Sequence, residues 1–195
     1  AANFGIEIIN EYDYSIRDRQ FGPIVAKVRA DNPDAIYASG YFFTAGPLVN
    51  QLRSGGVTVP IIGQEGYDSE QFIKIAGAAA EGVIITTSLD RDSDKPETVS
   101  FIAEYEKFTG NKVDMVAAST HTAIKVVVDA LRKAGTDDPD SIRQAISQTQ
   151  LTAATGQISF NRIGEVRKNV QVQIVRNGEW RYHSTIKDQN ILAPP

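Results

Sequence analysis

The sequence predicts an α/β fold, with a mostly parallel sheet and helices on both of its faces. Three observations carry that expectation. Short apolar, β-branched runs alternate with amphipathic stretches of helical length through residue 87; the apolar runs are nearly continuous; and Gly, Pro and Asn punctuate the joins. Right-handed crossovers should connect such strands.

Ile6-Glu7-Ile8-Ile9 reads as the first strand. Phe21, Ile24, Val25 and Val28 then recur at 0, 3, 4, 7, which places them on one helical face. Asn32-Pro33 should stop that helix, because proline disfavours helical geometry in the residue before it. Ala35-Ile36-Tyr37-Ala38 follows as a buried strand that exits at Gly40. Thr44 is a candidate N-cap for a second helix, whose Ala45, Leu48, Val49 and Leu52 repeat the spacing, with Gly55-Gly56 as its stop. Val59 to Ile62 is the next strand. Asp68 or Ser69 could cap a third helix carrying Phe72, Ile73 and Ala76, and Gly82 to Thr87 reads as a strand.

The alternation breaks at Asp90-Arg91-Asp92-Ser93-Asp94-Lys95-Pro96, a polar stretch that reads as a linker or crossover, so a boundary near Ser88 is expected. Helices follow without intervening strands: one carrying Phe101, Ile102, Tyr105 and Phe108, a long one from Met115 to Lys133, and a short one over Ile142 to Ile146. Gly156 to Phe160 and Val170 to Val175 read as strands, and Asn177-Gly178 is a hairpin signal before Trp180 and Tyr182.

Composition narrows the function. Lys and Arg total 20 against 24 Asp and Glu, a net charge of −4, which disfavours binding to nucleic acid. The absence of cysteine excludes disulfides, thiolate nucleophiles and thiolate metal sites. No apolar run approaches the roughly 20 residues a membrane-spanning helix needs. The chain starts at Ala1 without a basic, apolar leader, so any signal segment is expected to have been removed or not included.

Catalytic and metal motifs are weak. Asp90, Asp92 and Asp94 imitate the start of a calcium loop, but Lys95 and Phe101 stand where glycine and a bidentate acid are required. His121 and His183 lack partners at ligand spacing, and His121 reads as a partly buried helical side chain. Nucleophile-elbow, phosphate-loop and dinucleotide fingerprints are missing from the sequence. No metal or cofactor is implied.

Position is more informative. Ligands collect beyond the carboxyl ends of parallel strands, and those ends carry Ser39-Gly40-Tyr41 and Gly63-Gln64-Glu65-Gly66, loops that should be neighbours. Their glycines let backbone approach a small ligand. Tyr41 offers an aromatic wall and Glu65 an anion, although on the residues alone Glu65 reads first as an ordinary loop acid and Tyr41 as a core or rim residue.

In order and spacing the residues resemble the type I periplasmic solute-binding proteins, especially the branched-chain amino acid (Leu/Ile/Val) subgroup that serves ABC transporters. The resemblance runs over essentially the whole chain. It rests on Asn32-Pro33-Asp34-Ala35-Ile36-Tyr37-Ala38-Ser39-Gly40-Tyr41, Leu52-Arg53-Ser54-Gly55-Gly56, Ile62-Gly63-Gln64-Glu65-Gly66, Ala79-Ala80-Glu81-Gly82-Val83, Phe101 with Tyr105, and Gly156 to Asn161 leading to Gly164.

The resemblance implies a receptor of two lobes that close on a ligand about a hinge. Residues 1–88 would be most of the second lobe, 89–167 a helical return belonging to an incomplete first lobe, and 168–195 a final return to the second. The opening part of the first lobe, with its site for a ligand carboxylate, would lie outside this carboxy-terminal fragment, so high-affinity binding by these residues alone is not expected. It further implies that Tyr41 and Glu65 close over an amino acid, Glu65 pairing with its ammonium. Ser39, Gly40 and Gly66 would shape the backbone around them, and Val116 would touch the ligand side chain from the first lobe.

Function would then be solute capture in the periplasm for an ABC permease, with no bond made or broken. A ligand-sensing receptor or amide-binding regulator of the same fold is the alternative; a hydrolase or transferase using Glu65 as a base is a third. The apolar faces of the helices from Phe101 to Ile146 also need a cover. A homodimer, a swapped assembly or packing against residues 1–88 would provide one.

Overall fold

The computed structural model describes residues 4–192, apart from the side chain of Gln189. Its elements are α1 (Gly22–Asp31), β1 (Ile36–Tyr37), α2 (Phe42–Ser54), β2 (Ile61–Gly63), α3 (Glu70–Ala76), β3 (Ile84–Thr87), α4 (Pro96–Thr109), α5 (Met115–Ala134), α6 (Pro139–Ser147), β4 (Leu151–Ala153), β5 (Gly156–Phe160), β6 (Val166–Arg167), β7 (Val170–Arg176), β8 (Glu179–Ile186) and α7 (Gln189–Leu192). The larger sheet runs β1-β2-β3-β7-β8 and the smaller one β4-β5-β6. Parallel pairing of β1 with β2 and of β2 with β3 makes this the predicted α/β architecture. The chain divides into two compact units, residues 1–85 with 174–179 and residues 86–173 with 180–195.

In the first unit the helical faces read from the sequence are the buried ones. Phe21, Val25 and Val28 are buried along α1, as are Ala45, Leu48, Val49 and Leu52 along α2. Each large side chain among them contributes about 1.5–3 kcal/mol when removed from water. α1 stops at Asn32, which adopts φ 47° and returns its N–H to the Val28 carbonyl at 3.1 Å. α2 lies so close to α3 that a Cβ on Gly46 would stand 2.6 Å from Ile75 Cγ2. Ser69 caps α3 by accepting from the Gln71 N–H, while Asp68, the other candidate, is buried instead. Asn177 and Gly178, both with positive φ, turn the chain from β7 to β8, and the Glu81 carboxylate accepts from both of their N–H groups at 2.9 and 3.3 Å.

Three expectations fail here. β1 is not a buried strand: it ends the sheet order with one neighbour, and Tyr37 is 68% exposed. Ile6-Glu7-Ile8-Ile9 is not a strand: these residues are exposed and enter neither sheet. β-branched composition favours a pleated surface only when a neighbouring strand supplies the ladder and the packing. Thr44 does not cap α2. The helix starts three residues earlier, behind Tyr41, and Thr44 is buried with its hydroxyl donating to the Ile16 carbonyl at 2.8 Å.

In the second unit Leu89, Phe101, Val113, Ala118 and Ala154 form a buried cluster. The polar stretch read as a linker or crossover is built into this unit. Leu89 is fully buried, and Arg91 donates to Gln173 Oε1 at 2.9 Å and to the Val113 carbonyl at 3.1 Å. Asp92 accepts from Arg181 at 3.0 Å and from the Tyr182 N–H at 2.7 Å, so its carboxylate serves the fold.

α5 is capped by Asp114, whose carboxylate accepts from the Ala117 N–H at 2.8 Å, and stops at Gly135, φ 65°. His121 stacks on Phe101 with centroids 4.4 Å apart. Burial, then the Lys125 charge, hold its pKa below the usual imidazole value, partly offset by Glu104. The outward face of the same helix is apolar and exposed, carrying Val116, Ile124, Val127, Val128 and Leu131. No helix among the described residues is long and apolar enough to cross a membrane.

Candidate functional site

Parallel pairing decides where the chain can present a site. β1 and β2 run side by side, with Ile36 opposite Ile61 and Tyr37 opposite Ile62, and the rung from the Ala38 N–H to the Ile62 carbonyl measures 2.9 Å. Both strands therefore leave the sheet at the same edge. Their exit loops, Ser39-Gly40-Tyr41 and Gln64-Glu65-Gly66, meet there, as the sequence predicts.

The meeting is close. Gln64 Nε2 donates to the Gly40 carbonyl at 2.8 Å, and the Gly66 N–H donates to Gln64 Oε1 at 3.0 Å. A Cβ on Gly66 would stand 2.2 Å from the Gly40 oxygen, and one on Gly40 would stand 2.7 Å from the Tyr14 hydroxyl. Only glycine lets the two backbones approach this far.

Two tyrosines support the loops from below. Tyr14 donates its hydroxyl to the Ser39 carbonyl and packs edge-to-face on Phe21. The Tyr67 ring lies under Gly63, where a Cβ would come within 2.6 Å of it, and stacks on Phe72 at 5.0 Å. Tyr67 is fully buried, and by geometry its hydroxyl has no hydrogen-bond partner among the described residues. Burial, reinforced by the neighbouring Tyr14 phenol, drives its pKa far above the usual tyrosine value, so it stays neutral.

The two side chains picked out by the sequence, Tyr41 and Glu65, are both exposed on these loops. Tyr41, 55% exposed, is the residue before α2 and lies parallel to the Phe43 ring at 5.8 Å. Glu65 opens a single 3-10 turn over Glu65–Tyr67; it is exposed, and its carboxylate has neither an ion pair nor a hydrogen bond among the described residues. An exposed anion on one loop and an exposed aromatic ring on the loop joined to it are groups that suit a small cation or zwitterion. Ser39 is exposed, but its carbonyl is already taken by Tyr14.

Ser39, Gly40, Tyr41, Glu65 and Gly66 belong to the first unit. Val116 belongs to the second, on the first turn of α5, 62% exposed. Sequence reasoning missed Gln64, Tyr14 and Tyr67. Gln64 stands inside the motif already quoted, between Gly63 and Glu65, and the lack of any apolar role at that position was the available signal. Tyr14 lies in a stretch without periodicity and left no comparable sign.

A family model described as periplasmic binding protein matches residues 1–178. A leucine-, isoleucine-, valine-, threonine- and alanine-binding protein of Pseudomonas aeruginosa is 23% identical over 181 residues, covering 93% of this chain and 47% of its own length. Among solved structures, a leucine-binding protein of Thermotoga maritima is 30% identical with TM-score 0.83, over 89% of this chain and 50% of that one. A solute-binding protein of an ABC transporter from R. palustris, solved with benzoate, shares the fold at 16% identity and TM-score 0.81, over 92% of this chain and 50% of its own. The chain thus spans about half the length of the relatives it matches.

Proposed function

The chain belongs to the periplasmic binding protein family, a family of binding proteins and not of enzymes, and from that premise we propose that it forms about half of a two-lobed receptor delivering an amino acid to an ABC permease. The receptor works in the periplasm or at the extracytoplasmic surface. Its lobes close on the ligand about a hinge, and the permease reads the closed form.

One observation supports this reading: the exit loops of β1 and β2, held together by Gln64, carry an exposed Tyr41 and an exposed Glu65 whose carboxylate has no partner among the described residues. Glu65 takes the ligand ammonium, Tyr41 lies against the ligand, and Ser39, Gly40 and Gly66 shape the backbone on which both are mounted. Val116 contacts the ligand side chain from the other lobe. The Thermotoga maritima and Pseudomonas aeruginosa relatives, named for leucine and similar residues, make an aliphatic amino acid the first ligand to try.

Calorimetry of the two-lobed protein with L-leucine tests this. A charge-assisted hydrogen bond contributes about 1.5–3 kcal/mol, so Glu65→Gln should weaken binding roughly 10–100-fold. Equal affinity in both proteins would reject the assignment. The benzoate complex of the R. palustris neighbour favours one specific second reading, an aromatic acid without an ammonium. In that case benzoate binds and Glu65→Gln strengthens it, because an anion opposite a carboxylate is repelled.

The exposed face of α5 also needs a partner, and a second copy of the 195-residue chain fits it. An antiparallel pairing centred between Ala123 and Ile124 sets Val116 across from Leu131. Sedimentation velocity should show a species heavier than one chain that dissociates on dilution and in Leu131→Lys. A single-chain species at every concentration refutes the homodimer.

A further inference from the structure

The backbone ladder between β1 and β2 ends where the binding loops begin. Its last rung joins Ala38 to Ile62. The next connection between the two chains is made by a side chain. The Gln64 carboxamide donates to the Gly40 carbonyl at 2.8 Å with one end and accepts from the Gly66 N–H at 3.0 Å with the other. An amide that donates on one side and accepts on the other does what a peptide group does in a strand, so Gln64 extends the ladder by one rung past the point where the backbone itself turns away.

The orientation of that amide follows from chemistry. Rotated by half a turn, its oxygen would face the Gly40 carbonyl and its NH₂ the Gly66 N–H, leaving acceptor against acceptor and donor against donor. Glutamate cannot substitute, since a carboxylate has no proton for Gly40. Asparagine is one methylene too short to reach both partners.

Gly40 precedes Tyr41, and Gly66 follows Glu65. A group that ties Gly40 to Gly66 therefore sets the spacing of the two residues assigned to the ligand, and does so before any ligand arrives. We propose that Gln64 is a positioning residue, whose side-chain amide holds the Tyr41 and Glu65 loops in their binding register without itself touching the ligand. The proposal rests on the amino-acid reading above.

Loss of pre-organisation and loss of a contact leave different kinetic signatures. If only a fraction of molecules holds the competent register, apparent affinity falls by that fraction and the loss appears in association. Removing a direct contact speeds dissociation instead.

The test uses Gln64→Met, which keeps length and volume but removes both hydrogen bonds, with Gln64→Asn as the second variant should the first fail to fold. Amide hydrogen exchange on the 195-residue chain reads the clasp without ligand: Gly66 should be protected in the parent sequence and exchange about 10-fold faster in the variant. Stopped-flow binding of L-leucine to the two-lobed protein reads its role. Association should slow roughly 3–10-fold in Gln64→Met with dissociation unchanged, whereas Glu65→Gln should accelerate dissociation. Unchanged Gly66 exchange overturns the clasp. Leucine kinetics unchanged in Gln64→Met but altered in Glu65→Gln overturn the positioning role and leave the amino-acid reading standing. If neither variant alters leucine binding, the amino-acid reading fails and the positioning role fails with it.

Discussion

Gly66→Ala should cost the two-lobed protein at least about 10-fold in L-leucine affinity and lower its melting temperature by several degrees. The added Cβ would stand 2.2 Å from the Gly40 carbonyl oxygen, 3.2 Å from the Gly40 carbonyl carbon and 2.9 Å from Gln64 Nε2. Two of these three atoms are backbone, anchored by the β1–β2 ladder one residue pair away, so the loops themselves must part. Overpacking of this kind costs about 1–3 kcal/mol. In a chain of this length that corresponds to roughly 2–12 °C. Parting the loops also breaks the bonds of Gln64 to Gly40 and to Gly66. Gly66 is not among the positive-φ glycines, so the penalty comes from contact and not from backbone conformation. Thermal melting with calorimetry on the same sample measures both effects. An alanine variant with parental affinity and stability would mean that the loops do not touch in solution.

Gly46 is the useful contrast. There the added Cβ would meet Ile75 Cγ2 at 2.6 Å and Ile75 Cβ at 2.8 Å, an equally tight approach but against a side chain between two helices. A rotamer change and a small helix shift can relieve it. Position relative to backbone, more than distance, makes Gly66 the critical residue of the site.

The half of the fold governed by local periodicity is legible in the sequence. The faces of α1 and α2, the span of α5 and the Asn177-Gly178 turn all follow from residues that lie next to each other on one helix or within one turn. The adjacency of the two binding loops was also readable, because parallel strands must present their carboxyl ends together. What escaped depends on partners distant in sequence. Ile6 to Ile9 have strand chemistry but no ladder to join. Thr44 has the chemistry of a helix cap, yet Ile16, 28 residues away, takes its hydroxyl. The Gly40 partner of Gln64 is 24 residues away, and Gln173, which bonds both Leu89 and Arg91, is more than 80 residues from each. No window along the chain contains both members of such a pair.

That stretch supplies the second large effect, in the unit that carries Val116. Gln173 on β7 is fully buried; its Oε1 accepts from Arg91 at 2.9 Å, and its Nε2 donates to the Leu89 carbonyl at 3.0 Å. Gln173→Leu fills the same space with carbon and takes the glutamine partner away from a buried carbonyl and from a guanidinium. A buried polar group deprived of its partner costs about 1–3 kcal/mol, and more when it is charged. The melting temperature should accordingly fall by about 4–8 °C for a loss near 2 kcal/mol. Lys74→Ala, which removes the exposed pair with Glu70 at 3.3 Å, should change it by no more than about 2 °C, since a surface i,i+4 pair contributes only about 0.3–0.5 kcal/mol. Differential scanning calorimetry of the three proteins decides the matter. If Gln173→Leu melts with the parent, the segment from Ser88 to Lys95 is the solvated linker that its charges suggest, and its hydrogen bonds hold nothing in place.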